Sequence, residues 1–253
     1  MQNKDKWRPS KFVYCNGRLK ASRNTAELAI SSRLNADVTA AHYDAYLGKY
    51  ARGRLLDLGC GKVPLFEAYK DRVIDNTCVD WGNTLHKNEH LDLECDLTRP
   101  LPFAAGEFDT IVLSDVLEHI AEPMTLWREM HRVLASDGML ILNVPFFYWL
   151  HERPDDYYRY TEFALRRFVE AADMTLIELK ATGGVPEILA DMIAKTSARV
   201  PLVGGAIAVT VQALTLAWVR TRLGRDISSR TAVRFPLGYF LIATKRSHSA
   251  AGV

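Results

Sequence analysis

The sequence predicts an α/β domain: a doubly wound, mostly parallel, seven-stranded sheet with an N-terminal helical arm and an apolar helical insert before the last strand. Three observations predict it. From about residue 53 onward, short apolar runs alternate with stretches of helical spacing, the pattern of a parallel sheet covered on both faces. The first run, Arg54–Leu58, passes directly into the glycine turn Gly59-Cys60-Gly61. Carboxylates (Asp57, Asp80 and Asp96) stand at or just beyond the ends of the first three runs.

Ahead of the sheet, residues 1–52 carry ten Lys/Arg against four acids. Asn16-Gly17 between short extended pieces signals a hairpin turn. Leu28, Ala29, Leu34, Val38, Ala41 and Tyr46 predict a helix over 24–49. Such an arm can close over the core as a lid, or pack against it with a solvated charged face. After Arg54–Leu58, strands are expected at 77–80, 91–95, 110–113, 138–144, 174–179 and 238–245, each short and apolar. Between the fourth and fifth strands, Leu126, Met130, Val133 and Leu134 share one helical face. His119-Ile120-Ala121-Glu122 reads as the start of that core helix. The chain therefore divides into a basic arm over 1–52, an α/β domain over 53–246 that includes an insert at 185–236, and a tail over 247–253.

The 253 residues suffice for one α/β domain with an elaboration. A hydrophobic fraction of 48% excludes global disorder. Thirty-two basic against 30 acidic residues give a net charge of only +2, so no nucleic-acid partner is expected. Cys15, Cys60, Cys78 and Cys95 are scattered without a C-x-x-C pair and read as reduced thiols. The polar start MQNKDKWRPS has no apolar stretch for secretion, which predicts a cytoplasmic location.

Chemistry concentrates at the strand ends. A ligand crossing the carboxyl edge of a parallel sheet needs close backbone approach, which Gly59 and Gly61 permit. Asp57 beside them suits a ligand that carries a cation there. A dinucleotide site would present amides to a pyrophosphate instead, and no G-x-G-x-x-G is present because position 64 is Pro64. Asp80 follows the glycines by about 20 residues, where a ribose-binding acid belongs. Asp96-Leu97 can bond an adenine edge and sandwich its face.

Four stretches resemble a known family: LLDLGCG (55–61), CVDW (78–81), CDLTRPLPFAAGEFDTIVLSDVLEHI (95–120) and REMHRVLASDGMLILNVP (128–145). In order and spacing they resemble the class I S-adenosylmethionine-dependent methyltransferases, type 11 group. The resemblance implies a Rossmann-like methyltransferase fold and S-adenosylmethionine as cofactor. It implies that Asp57, Gly59, Cys60 and Gly61 hold the donor's methionine part and that Asp80 and Trp81 meet the ribose. Asp96 and Leu97 would then take the adenine, with Ser114 lining the pocket. The chain departs from the family where many members carry a third glycine: here Lys62-Val63-Pro64 follows the turn.

A methyl sulfonium is already activated, so catalysis is in-line positioning plus a base where the acceptor must lose a proton. The segment FFYWLHERPDDYYRYT (146–161) follows the fifth strand and interleaves aromatics with acid, base and arginine. His151 is the candidate base because histidine titrates near neutrality. Tyr157 and His119 are further catalytic candidates, with Asp155, Tyr158 and Arg159 as acceptor-binding ones. The tyrosines can equally cap the core. His86-Lys87-Asn88-Glu89-His90 matches H-x-x-E-H, yet it lies in the connection between two strands, so no metal is expected.

The window 200–219 holds no charge and is followed by Arg220, Arg222, Arg225, Arg230 and Arg234. A single membrane crossing there is incompatible with a sheet whose strands flank it. The expected alternatives are a hairpin in the membrane interface on the inner face, a wall of a lipid tunnel, and a contact with a second subunit. The leading function is methyl transfer to oxygen of a small-molecule, sugar or lipid-linked glycan acceptor. A quinone or other prenylated ring is the nearest alternative acceptor. A nicotinamide-dependent oxidoreductase and a non-catalytic donor-binding membrane adaptor are the readings from other classes.

Overall fold

A computed structural model of the chain describes residues 1–82 and 89–246. Strands β1 (Phe12–Cys15) and β2 (Arg18–Ala21) form a hairpin around Asn16-Gly17. A 3-10 turn at Ile30–Ser32 leads into α1 (Arg33–Tyr50). The chain continues through β3 (Arg54–Leu58), α2 (Phe66–Tyr69), β4 (Asp75–Asp80), β5 (Leu93–Glu94) and β6 (Phe108–Ser114). Then come α3 (Pro123–Val133), β7 (Leu134–Pro145), α4 (Glu162–Ala171) and β8 (Met174–Thr182). The insert supplies α5 (Val185–Ser197), α6 (Gly204–Val219) and α7 (Arg222–Ala232) before β9 (Gly238–Lys245).

All seven expected strands lie in one sheet of order β5-β4-β3-β6-β7-β9-β8. Every neighbouring pair is parallel except those made by β9, which runs against both β7 and β8. This is the doubly wound, Rossmann-like methyltransferase arrangement. The winding reverses between β3 and β6, so the crevice at their carboxyl ends is the switch point where such sheets bind ligands.

Successive residues of the central strands point to opposite faces, and both faces are buried. Leu56, Leu58, Ile111, Leu113, Leu140 and Leu142 meet α3 and α4, with Trp127 and Leu165 in the same cluster. Leu55, Val112, Ile141, Phe240 and Ile242 meet α1 and α2, through Tyr43, Leu47 and Tyr69. Burial on both sides is why these strands read as apolar runs without alternation.

Three boundaries differ from the sequence reading. The helix expected over 24–49 begins at Arg33, because Asn24 and Ser22 turn their side chains onto the backbone N–H groups of Ala26 and Asn24. Residues 119–122 do not start a core helix. Leu117–His119 is a 3-10 turn, and α3 begins at Pro123, whose fixed φ and missing N–H suit a first turn. The uncharged window yields a helix only from Gly204. Sixteen residues span about 24 Å, and among the described residues no helix is long and apolar enough to cross a membrane. The tail at 247–253 lies outside the described residues.

The insert leaves and re-enters the sheet at its carboxyl edge, at the β9/β8 end and not at the switch point. β8 runs parallel to β7, so its end, Thr182, lies at the carboxyl edge, and Gly238 pairs with both Thr182 and Pro145. Within the insert, α6 is turned inside out. It buries Gly204, Ala208 and Gln212 as one stripe while Ile207, Val209, Leu214 and Trp218 stay exposed. Gln212 is buried because it accepts from Leu34 N (2.7 Å) and donates to Ile30 O (2.9 Å), fixing the insert to the start of α1.

Candidate active site

At the end of β3, Asp57 is 3% exposed, and its carboxylate accepts from the Tyr69 hydroxyl at 3.1 Å. Burial, with the nearby Asp80 charge adding, pushes its carboxyl up to about 7. Gly59 and Cys60 follow, their backbone N–H groups bonding Val79 O at 2.8 and 3.1 Å. Gly59 has φ 67°, and a Cβ there would lie 2.4 Å from a Val116 methyl. Gly61 also has a left-handed φ, 50°, yet a Cβ there would meet nothing within 4 Å. One glycine is required by packing. The other borders open space at the switch point.

Asp80 closes the turn from the next strand. One of its carboxylate oxygens accepts from Gly61 N at 2.9 Å and the other from Trp81 N at 2.9 Å. The missing third glycine leaves a physical trace: Val63 takes φ 51°, a strained value for a β-branched residue. The N-terminal arm holds it there. The Trp7 indole donates to Val63 O at 3.1 Å, and Lys62 pairs with Glu27 at 3.0 Å.

Asp96 spends its side chain locally, accepting from the Thr98 N–H and hydroxyl at 2.9 and 2.6 Å. These bonds hold its carboxyl below the usual range. Leu97 beside it is buried, while Trp81 is 41% exposed. Ser114 ends β6, opposite Asn143 of β7. Immediately after it, Asp115 takes a left-handed φ of 53°. Asp115 accepts from the Asn143 amide at 2.5 Å and pairs with Lys11 of the arm at 2.8 Å.

The segment between β7 and α4 folds back over the 3-10 turn after β6. Tyr157 N and Tyr158 N both donate to Glu118 O, at 2.9 and 3.2 Å. The hydroxyls of Tyr158 and Tyr160 donate to Ala121 O and Leu117 O, each at 2.9 Å. Tyr157 instead reaches Asp155, at 2.9 Å, and is 48% exposed. Arg159 binds both oxygens of Asp156, at 2.5 and 2.8 Å, and Trp149 O at 3.0 Å, so its guanidinium ties the segment together. His151 N donates to Asp156 at 2.9 Å. Phe147, Trp149, Leu150, Tyr157 and Tyr158 remain exposed around this mouth.

Of the catalytic candidates, His119 and His151 are brought together, their rings 4.7 Å apart in a T-shaped contact. Burial, then the neighbouring His119, lowers the His151 pKa. Sequence reasoning missed the group between them. Glu118 is fully buried, and burial followed by the Asp115 charge raises its carboxyl well above the usual range. It also missed Asp191 and Lys195 of α5, a buried pair at 2.5 Å whose ammonium lies 3.4 Å from the Tyr148 ring centroid. Glu118 carried a signal, since Asp115-Val116-Leu117-Glu118-His119 directly follows a strand at the switch point. Asp191 and Lys195 carried only i,i+4 spacing. His86, Lys87 and Asn88 of the H-x-x-E-H match lie outside the described residues. His90 sits with its ring nitrogen 3.2 Å from Gln2 O.

Residues 56–142, from β3 through most of β7, match a family described as a methyltransferase domain. This segment is a type 11 methyltransferase domain. Its cofactor is S-adenosylmethionine. A 118-residue stretch is 29% identical to a ubiquinone biosynthesis O-methyltransferase of Psychrobacter arcticus, covering 42% of this chain and 46% of that protein. The chain thus spans just under half the length of that curated relative. Among solved structures, the methyltransferase domain and its surroundings are similar to a SAM dependent methyltransferase from Archaeoglobus fulgidus. The TM-score is 0.54 and the identity 14%, over 85% of this chain and 97% of that one. The chain is also similar to the [4+2]-cyclase SpnF, with TM-score 0.57 and 17% identity over 84% of this chain and 82% of that one. At these identities the likeness is one of fold, and a shared fold does not name a reaction.

Proposed function

We propose that this chain transfers the methyl group of S-adenosylmethionine to a hydroxyl oxygen of a ring that carries an apolar tail, working at the inner face of a membrane. The observation that carries this reading is the inside-out α6, rooted at the same sheet edge as the glycine turn and the aromatic mouth. Among the acceptors weighed from the sequence, the prenylated ring now ranks above the lipid-linked glycan, because the curated relative acts in ubiquinone biosynthesis as an O-methyltransferase.

The residues at the switch point fit the donor. Asp57 is a buried carboxylate whose one described hydrogen bond is neutral, so an ammonium group is its natural complement. Open space at Gly61 admits a ligand against the backbone. Asp80 and Trp81 would face the ribose, Asp96 and Leu97 the adenine, and Cys60 and Ser114 would line the pocket. When bound, the donor supplies a methyl group on a sulfonium, already electrophilic.

The chain's own work is then to position the acceptor and exclude water. Tyr157, Tyr158 and Asp155 form the mouth, and Arg159 holds that mouth in shape through Asp156. His119 and His151, brought together beside this mouth, would hold the acceptor hydroxyl in line with the methyl. The exposed aliphatics of α6, with Arg220, Arg222, Arg225, Arg230 and Arg234 close by, suit an anionic bilayer from which an apolar tail extends.

Two measurements test the reading together. Calorimetric titration is expected to give saturable binding of S-adenosylmethionine and of its demethylated product, with none for NADH. Absence of donor binding in folded protein overturns the reading altogether. With anionic vesicles present, transfer of labelled methyl is expected to a hydroxylated prenyl phenol faster than to the same phenol without its tail. Equal rates, or transfer only to a lipid-linked glycan, overturn the acceptor assignment.

A further inference from the structure

The group formed by Glu118, His119 and His151 has no explanation in side-chain packing. Both carboxylate oxygens of Glu118 and Nε2 of His119 are buried without a hydrogen-bond partner. Glu118 Oε1 lies 3.8 Å from His119 Nε2 and 3.8 Å from His151 Nε2. At that distance neither contact is a hydrogen bond. Three ligating atoms therefore surround a common gap, all within 4.8 Å of one another. A buried carboxyl group left unbonded is unfavourable unless a cation completes it.

The outer face of the His119 ring is already arranged for that purpose. His119 Nδ1 is 2.7 Å from Asp155 O, which assigns the proton to Nδ1 and leaves the Nε2 lone pair aimed into the gap. His151 Nδ1 lies 3.4 Å from the Asp156 carboxylate, itself held by Arg159, within charge-pairing reach but without a hydrogen bond. A ring nitrogen bonded to a carbonyl, with the other nitrogen free, is the outer-shell pattern of metal-bound histidine, and His119 shows it. Bonds of about 2.0–2.2 Å place tetrahedral ligand atoms about 3.4 Å apart, so the observed spacing needs only a small contraction.

We propose that Glu118, His119 and His151 bind a divalent transition-metal ion of the zinc class, a site that the sequence alone gave no reason to expect. Two imidazoles and one carboxylate are a three-ligand set that leaves a position open for an oxygen ligand. Glu152, 3.9 Å from His119 Nε2 and 57% exposed at its side chain, stands at the open side. The role of the ion rests on the function proposed above, whereas its binding does not. A hydroxyl placed against it loses its proton to water. The oxygen then forms its bond to the methyl carbon as the C–S bond breaks, and the donor leaves as a neutral thioether.

The test uses the full chain, stripped with chelator and titrated with Zn²⁺ by calorimetry and with Co²⁺ by visible absorption. One ion per chain is expected, with the Co²⁺ spectrum moving from the aqueous form to that of a low-coordinate N/O site. Glu118→Gln and His151→Ala are each expected to weaken binding at least tenfold while S-adenosylmethionine still binds, which shows that the variants are folded. A His86→Ala/His90→Ala variant is expected to leave the spectrum unchanged. The proposal is overturned by an unshifted Co²⁺ spectrum in protein that binds the donor. It is equally overturned by a signal lost with His86 and His90 but retained without Glu118 and His151. Failure of donor binding with intact metal binding would remove the methyl-transfer reading and leave the site.

Discussion

At the end of β3 the chain takes polar groups inside: Asp57 and Asp80 are buried, and the hydrogen bonds around them come largely from backbone and a tyrosine. Along α6 it leaves apolar groups outside and buries a glutamine. The first region is short of positive charge, the second of apolar cover. Each deficit states the chemistry of what completes it, a cationic ligand in one case and an apolar medium in the other. Both regions lie toward the same carboxyl edge of the sheet, and the proposed function joins them there.

The largest effect that would sharpen this contrast is expected from Gly59→Val. Its Cβ collides with Val116 and its φ is left-handed, so calorimetry should show donor affinity falling at least 100-fold. Gly61→Ala, which meets open space, should lose about tenfold or less. A fall at Gly61 as large as at Gly59 would mean that the donor, not Val116, sets both requirements.

Asp57→Asn follows. In the wild type, donor affinity should rise as pH increases through about 7, where Asp57 gives up its proton to pair with the incoming ammonium. It should fall again above about 8, where an α-amino group becomes neutral. Below 7 the loss approaches tenfold per pH unit. The Asn variant should bind more weakly with no acid limb. In the absence of donor the sign reverses for stability: a carboxyl raised in the fold favours the protonated protein, so the contribution is complete below about 4 and is lost as pH rises through about 7. Thermal melts across that window check it.

A smaller effect is expected on the other side of the comparison. Leu214→Glu with Leu223→Glu replaces two exposed leucines, so stability to urea should change by less than about 0.5 kcal/mol per site. Binding to anionic vesicles should fall tenfold or more in a flotation assay. Strong destabilisation would instead mark α6 and α7 as core. An effect of similar size, on stability instead of binding, is expected from Gln212→Ala, which orphans Leu34 N and Ile30 O and should cost about 1–2 kcal/mol in urea unfolding.

The sheet was legible because strands buried on both faces must be apolar throughout, and the turns between them carry glycine or acid. The glycine turn was legible for the same local reason: Gly59 and Gly61 both take left-handed φ values that their own short turn requires. The metal-competent group was not, since Glu118 and His151 are separated by 33 positions and meet only when the segment after β7 folds back on the turn after β6. Nor could spacing show that α6 faces outward. That orientation is set by Gln212 reaching α1, a contact between residues with no local relation. The start of α1 was misplaced because side chains around Asn24 compete with the helix for backbone bonds.

The pairing of Thr182 with Gly238 has a consequence for how such a chain can diversify. The two ends of the 55 intervening residues, counted from 183 to 237, meet as neighbours across one antiparallel ladder, where a turn of about two residues would join them. The whole excursion is thus a cassette plugged into a hairpin. It can be exchanged for another of different length or greasiness without altering the register of β7, β8 or β9, and so without disturbing the glycine turn after β3. The sheet and its glycine turn can in this way stay fixed while the outward-facing surface changes.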